Sequence, residues 1–308
     1  MRLPDRSERS WARGGALVAA AAVAALLAVA SGASSPRRPA PAARAGSHGT
    51  VGVLYAGSLA ALMEQRLGPA FERASGYGFQ GFGGGSTELA NEMRGGVRRA
   101  DVFLSASATA DNRLEGAANG RWVSWYAPFM ATSLVLAYNP RSRVGRELAR
   151  GIPWYRVLAQ PGIRVGRTDP RLDPKGVLTA EALAAAASRL RDRALQRAAG
   201  RFETFPETSL VGRMQAGQLD AGFFYAVEAS TAGLRTVPLS PVYKYAEYTI
   251  AVLAHAPDPS GAAAFVRFLI RSTRGYSLAR NGLNPMTPHL HGSPSAVPPS
   301  LRALVGAP

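Results

Sequence analysis

The chain has no cysteine among its 308 residues. That excludes a disulfide framework and any thiolate metal site. It also offers no residue for a cysteine-linked lipid anchor, so a lipoprotein is not expected. Histidine is scarce, with only His48, His255, His289 and His291. His48 falls in a Pro/Ala/Arg stretch, and His289 and His291 fall in a Pro-rich tail. His289-x-His291 has metal-site spacing, but a solvated tail is the simpler explanation. His255 alone lies in the body, and no GxSxG elbow accompanies it. An exported hydrolase using Ser58 or Asp169 is therefore the weaker alternative. No glycine-rich stretch is followed by Lys in the GxxxxGK(S/T) pattern, which disfavours a nucleotide. Past the N-terminus, no run reaches the 18 or so apolar residues of a membrane span.

The N-terminus reads as an export signal. Arg2, Arg6, Arg9 and Arg13 form a basic region, diluted by Asp5 and Glu8. The apolar run GALVAAAAVAALLAVA follows, from Gly15 to Ala30. It falls short of the roughly 20 residues that span a bilayer. The small residues of AVASGAS suit cleavage at Ala30 or Ala33. Residues 1–33 are thus expected to be a signal peptide, with an uncleaved anchor as the alternative. Residues 34–49 (SSPRRPAPAARAGSHG) have the composition of a disordered tether. The folded part should begin near Thr50, in an exported protein that is periplasmic or associated with the cell surface.

Net charge is +16. Seven Arg against Asp5 and Glu8 in the first 44 residues leave +11 on the body. Nucleic acid is one partner for such a charge. Export argues against it, and the basic residues are scattered with no aromatic-interleaved stripe. No nucleic-acid partner is expected. A field that draws small anions toward a cleft fits better.

Short apolar runs alternate with helical periodicity along the body. Val51–Tyr55 reads as a buried strand, and Leu59, Leu62, Met63, Leu67 and Phe71 fall at helical spacing until Gly76. Tyr77–Phe82 is a second strand, Ser86–Met93 a helix and Asp101–Leu104 a third strand. The pattern restarts after Trp125, with strands at Ser133–Tyr138, Ile163–Gly166 and Ala221–Tyr225. Helices are expected at Ile152–Gln160, Thr179–Ala199 and Ser209–Gly217. A strand at Tyr248–Ala254 and a helix at Ala262–Ile270 complete the body. Strand–helix alternation at this spacing predicts an α/β fold with parallel strands and helices on both faces. Trp122, Trp125, Tyr126 and Trp154 read as core or hinge packing.

Two strand-to-helix corners stand out. Ala56-Gly57-Ser58 follows the first strand, and Gly83-Gly84-Gly85-Ser86-Thr87 follows the second. A helix start presents unsatisfied N–H groups and about half a positive charge. Glycine lets an anion approach the backbone, and serine adds a hydroxyl donor. Either serine alone would read as an N-cap. Two such corners on successive strands would converge at the carboxyl edge of the sheet, where open α/β folds bind ligands. Further strand-to-helix turns lie at Gly166–Gly176, which holds two Asp-Pro pairs, and at Pro206-Glu207-Thr208-Ser209. Tyr225 ends a strand. Glu203 and Glu207 read as solvated or helix-start charges.

Four stretches carry a family resemblance: LYAGSLAALMEQRLGPAFER, GGGSTELANEMRGGVRRADVFLSAS, IPWYRVLAQPGIRVGRTDPRLDPKG and ETSLVGRMQAGQLDAGFFY. In this order they resemble the tungstate/molybdate-binding proteins of ABC importers, the archaeal-type branch in particular. GRTDPRLDPKG is the most specific string. The resemblance covers most of Val51 to Tyr225 and implies a type II periplasmic binding protein-like fold. Lobe 1 would comprise 50–130 and 240–308, lobe 2 would comprise 131–239, and the ligand would lie between them. It implies oxyanion contacts from Ser58 and Ser86, from backbone near Lys175 and near Thr208 or Ser209, and from Tyr225. The partners it implies are a molybdate or tungstate ligand and an ABC permease in the membrane. The chain would act as a monomer without a cofactor.

One departure matters. Archaeal-type members can add two carboxylates to the metal, and the Asp matches Asp173. The Glu position holds Phe224, and Glu228 is near but out of register. A carboxylate aimed at a dianion repels it unless it bonds to the ligand's central atom. A four-coordinate oxyanion held by neutral donors is therefore expected, with Asp173 turned toward Arg167 or Lys175. The same donors would serve sulfate or phosphate, so another oxyanion is the alternative ligand.

Overall fold

The computed structural model describes residues 48–275 and 281–308. The expected export signal and residues 34–47 of the expected tether lie outside the described residues. No described helix is long and apolar enough to cross a membrane.

The first strands are β1 (Thr50–Ala56), β2 (Gly78–Gly84) and β3 (Val102–Ser105). β1 pairs in parallel with β2 on one side and β3 on the other. The helical stretch after β1 is broken into a 3-10 turn (Gly57–Leu59), α1 (Ala60–Leu62), a π turn (Met63–Leu67) and α2 (Gly68–Ser75). Its apolar stripe is buried as its spacing predicts, at Leu59, Leu62, Met63, Leu67 and Phe71. Gly76 ends it at φ 75°, a left-handed conformation that costs glycine little. Next come α3 (Ser86–Arg94) and α4 (Ala108–Asn112).

The strand expected at Ser133–Tyr138 is much longer, because Trp125 and Tyr126 belong to it. β4 runs from Trp125 to Tyr138, and its beginning pairs with β9 (Tyr245–Val252). Its end pairs with β7 (Ala221–Tyr225) and β8 (Arg235–Pro238). β9 also pairs antiparallel with β3. β7 continues in parallel to β5 (Val165–Thr168), and β5 to β6 (Glu203–Phe205). The order is β2-β1-β3-β9-β4-β7-β5-β6. The expected parallel sheet is thus corrected to a mixed one. β1–β3 and β5–β7 are parallel groups, and the antiparallel pair β4 and β9 joins them.

Two short helices, α5 (Arg143–Ala149) and α6 (Trp154–Leu158), follow β4. The long helix expected at Thr179–Ala199 is two, α7 (Pro174–Arg189) and α8 (Arg193–Ala199). Arg191 at φ 50° turns the chain between them. Asp192 caps α8 by accepting from Ala194 N–H and Leu195 N–H. The remaining helices that matter are α9 (Glu207–Gln215), α10 (Ala226–Thr231) and α11 (Pro259–Gly275). Trp125, Tyr126 and Trp154 are buried packing residues, in keeping with their expected place.

Candidate binding site

The two glycine–serine corners are neighbours. Ala56 at the end of β1 pairs with Gly84 at the end of β2. A β-carbon on Gly83 would lie 3.4 Å from Gly57 Cα. Ser58 Oγ is 2.8 Å from the Tyr248 hydroxyl of β9. Ser86 is fully buried, and its Oγ accepts from Ala106 N–H at 3.0 Å, which leaves its own proton available to donate. From β1–β3 and β9, then, uncharged hydroxyls and backbone groups meet at this place.

The facing groups are ionisable. Asp173 precedes Pro174 at the start of α7, and its Oδ1 accepts from Lys175 N–H at 3.2 Å. Asp173 Oδ2 is buried without a hydrogen-bond partner. The Lys175 ammonium is fully buried and donates to Glu207 Oε1 at 3.2 Å and to Glu228 Oε2 at 2.7 Å. Glu228 Oε2 also accepts from Tyr225 N–H at 3.4 Å. Lys175 Nζ lies 5.8 Å from the Tyr225 ring centre, and that ring packs edge-on against Tyr248 at 6.2 Å. The Tyr225 hydroxyl is buried and unpartnered. Glu207 rests on Gly57, where a β-carbon would come 1.6 Å from Glu207 Oε2. Contacts therefore close a circuit from Ser58 through Tyr248, Tyr225, Lys175 and Glu207 back to Gly57.

The second corner is also covered. Leu172 C=O accepts from Glu88 N–H at 2.9 Å, in the first turn of α3. A β-carbon on Gly85 would fall 2.5 Å from that oxygen. A cavity of about 230 Å³ remains beside the circuit, lined by Gly85, Thr168, Asp173, Phe205 and Glu207 among others.

Electrostatics follow from this burial. Burial pushes the Glu207 carboxyl up to about 8, with Lys175 opposing and Glu228 and Asp173 adding to the rise. Burial also raises Asp173 and Glu228, again against Lys175. For Lys175, burial pulls the pKa down, but Glu228, Glu207 and Asp173 together hold it above its ordinary value. It stays charged. Burial lifts Tyr225 and Tyr248 well above the usual phenol range, so both remain neutral donors. A separate acid lies behind β3. Asp111 Oδ2 accepts from Thr249 Oγ1 at 2.5 Å and Ser105 Oγ at 3.0 Å, and burial pushes this carboxyl up to about 7.

Ser58, Ser86, Asp173, Lys175 and Tyr225 are thus brought together. At the start of α9 the Thr208 and Ser209 side chains do not reach the site, and the expectation there concerns backbone N–H groups only. Thr208 is exposed, and Ser209 Oγ turns back to Pro206 C=O at 3.1 Å. Glu207, expected to be solvated or a helix-start charge, opens α9 but is buried against Gly57 and Lys175. Asp173 turns only one oxygen to the Lys175 backbone and leaves the other free. Tyr248, Glu207 and the Glu228 carboxylate complete the site. Of these, Tyr248 was legible only as a strand residue.

Family comparison agrees with the geometry. A model of the bacterial extracellular solute-binding protein family matches residues 51–282, and the chain belongs to that family. It is a binding protein and not an enzyme. A Haloferax volcanii protein provisionally named an ABC transporter molybdenum-binding protein is 32% identical over 222 residues, 72% of this chain and 67% of that protein. Among solved structures, the Azotobacter vinelandii periplasmic molybdate-binding protein matches with a TM-score of 0.57 at 17% identity, covering 76% of this chain and 98% of that one. The sulfate-binding protein of Mycobacterium tuberculosis matches with a TM-score of 0.53 at 18% identity, covering 77% and 87%. These structures establish the periplasmic binding protein fold.

Proposed function

We propose that the protein captures molybdate or tungstate outside the cytoplasm and hands it to an ABC permease. The circuit of Ser58, Tyr248, Tyr225 and Lys175 at the joined ends of β1 and β2 carries this reading. It sets one buried cation and several neutral hydroxyl groups next to one another, beside the cavity that Asp173 and Glu207 line. Hydrogen bonds to an ionised partner are roughly twice as strong as neutral ones, so such donors suit a dianion. They also disfavour a protonated ligand, which brings donors where acceptors are needed. The name of the Haloferax volcanii relative points to the same cargo.

Asp173 narrows the choice of anion. It lines the cavity and its buried Oδ2 has no hydrogen-bond partner; when ionised, it repels any oxyanion whose central atom cannot take a carboxylate oxygen. That penalises sulfate and phosphate more than the molybdenum and tungsten oxyanions. Residues 50–130 with 240–308 would form one closing lobe and residues 131–239 the other, hinged at β4 and β9. Calorimetric titration with molybdate, tungstate, sulfate and phosphate tests this. Molybdate or tungstate should bind at least about 100-fold tighter, equivalent to ~2.7 kcal/mol. Equal or tighter binding of sulfate or phosphate would overturn the cargo assigned here.

A further inference from the structure

Three observations single out Glu207. Its carboxylate lies on Gly57, where even a β-carbon would sit 1.6 Å from Oε2, so no ligand oxygen reaches that helix start while it is there. Glu207 Oε2 is buried and has no hydrogen-bond partner, although Oε1 accepts from Lys175. The residue is the first of α9 and lines the 230 Å³ cavity, which offers its carboxyl group another position.

We propose that Glu207 is a tethered occupant of the first corner, which the incoming oxyanion displaces, so that ligand capture is coupled to release of a proton. The inference rests on the oxyanion-binding function proposed above. Glu207 is faced by Lys175 from α7, Glu228 from α10, Asp173 ahead of α7, Tyr225 from β7 and Tyr248 from β9. Glu88 and Asp169 line the same cavity. Gly57 contributes only backbone.

The direction of proton flow follows from burial. On Gly57 the carboxyl keeps its proton up to about pH 8. Moved toward water, it returns to the ordinary carboxylate range and gives that proton up. The oxyanion then takes its place beside Lys175. Affinity should rise with pH between about 6 and 8. Were Glu207 to stay beside a bound dianion, repulsion would raise its pKa further. Capture would then take up protons, and affinity would fall as pH rises through about 8 and above.

Calorimetry of the full chain with molybdate, in PIPES and in Tris at one pH near neutrality, reads the sign directly. Wild type should release up to about one proton per molybdate. Glu207→Gln keeps the shape and should abolish the release. Glu207→Ala removes the occupant and should bind about tenfold tighter, the scale of one lost charge-assisted hydrogen bond. Binding by Glu207→Ala where wild type is silent would support the proposal equally. Binding by wild type with no proton release or with proton uptake, or release retained in Glu207→Gln, overturns it while leaving the proposed function standing. If neither wild type nor either variant binds molybdate or tungstate, the proposed function falls and this inference with it. Circular dichroism of both variants confirms that they are folded.

Discussion

The two sides of the candidate site solve different problems. β1, β2 and β9 bring Ser58, Ser86 and Tyr248, all uncharged and already fixed by hydrogen bonds within their own half. The facing elements bring Asp173, Lys175, Glu207 and Glu228, four ionisable groups buried together. Neutral donors can be held rigidly at small cost. Charges in low dielectric stabilise only as a set, because each one depends on the others for compensation. The first side therefore supplies shape. The second supplies an electrostatic balance that one proton or one ligand can tip.

The contrast is most open to test at Lys175. Lys175→Ala leaves Glu207 and Glu228 without their cation and should destabilise the fold by about 3–5 kcal/mol in urea unfolding. Adding Glu207→Gln and Glu228→Gln should recover much of that loss. A triple variant as unstable as the single one would show that Lys175 acts by packing. On the neutral side, Ser86→Ala orphans the buried Ala106 N–H, and Ser58→Ala removes the partner of Tyr248. Each should cost about 1–3 kcal/mol, and molybdate titration of the two variants should show weakened binding.

A smaller effect separates the sides by pH. Asp111 and Glu207 both have folded-state pKa values above the ordinary carboxylate range, about 7 and about 8. The native state therefore holds their protons more tightly than the unfolded chain does. Their contribution is fully present below about pH 4 and is lost as pH rises through 7 and 8. Within the range where the rest of the protein is folded, thermal stability should decline from pH 5 to 8 by up to a few kcal/mol, roughly. Asp111→Asn should flatten the part up to about 7, and Glu207→Gln the part up to about 8. A profile unchanged in both variants would remove burial as the cause. Thr208→Ala should do least, within about 0.5 kcal/mol in stability, because its side chain is exposed. Marked loss of molybdate binding in that variant would return Thr208 to the site.

Much of the frame was legible from residue order. The strand–helix alternation placed β1, β2, β3 and β7 within a few residues, and the glycine–serine corners do lie side by side. The charged side was harder to read. A glutamate opening a helix usually faces water and favours the helix dipole, so nothing local marks Glu207 as buried. Its environment is made by Gly57, 150 residues away, which has no side chain to keep it out. A signal was nevertheless present: the chain has 36 basic residues and only two are lysines, Lys175 and Lys244. The Lys175 ammonium is a compact charge with three rotatable donors and serves two carboxylates at once. The break between α7 and α8 was similarly marked by Asp192, a cap residue inside an otherwise helical pattern.

The position of β9 has a consequence for synthesis. It lies between β3 and β4 and completes the hydrogen-bonding edges of both. Yet roughly a hundred residues of chain separate β4 from it. A polypeptide made from its N-terminus exposes the apolar edge of Val102–Leu104 until Val252 has emerged. Such distant pairing slows folding and lengthens the time in which unpaired strands can meet other chains. Delivery of this protein to its compartment therefore favours a route that keeps the nascent chain unfolded until nearly all of it has crossed.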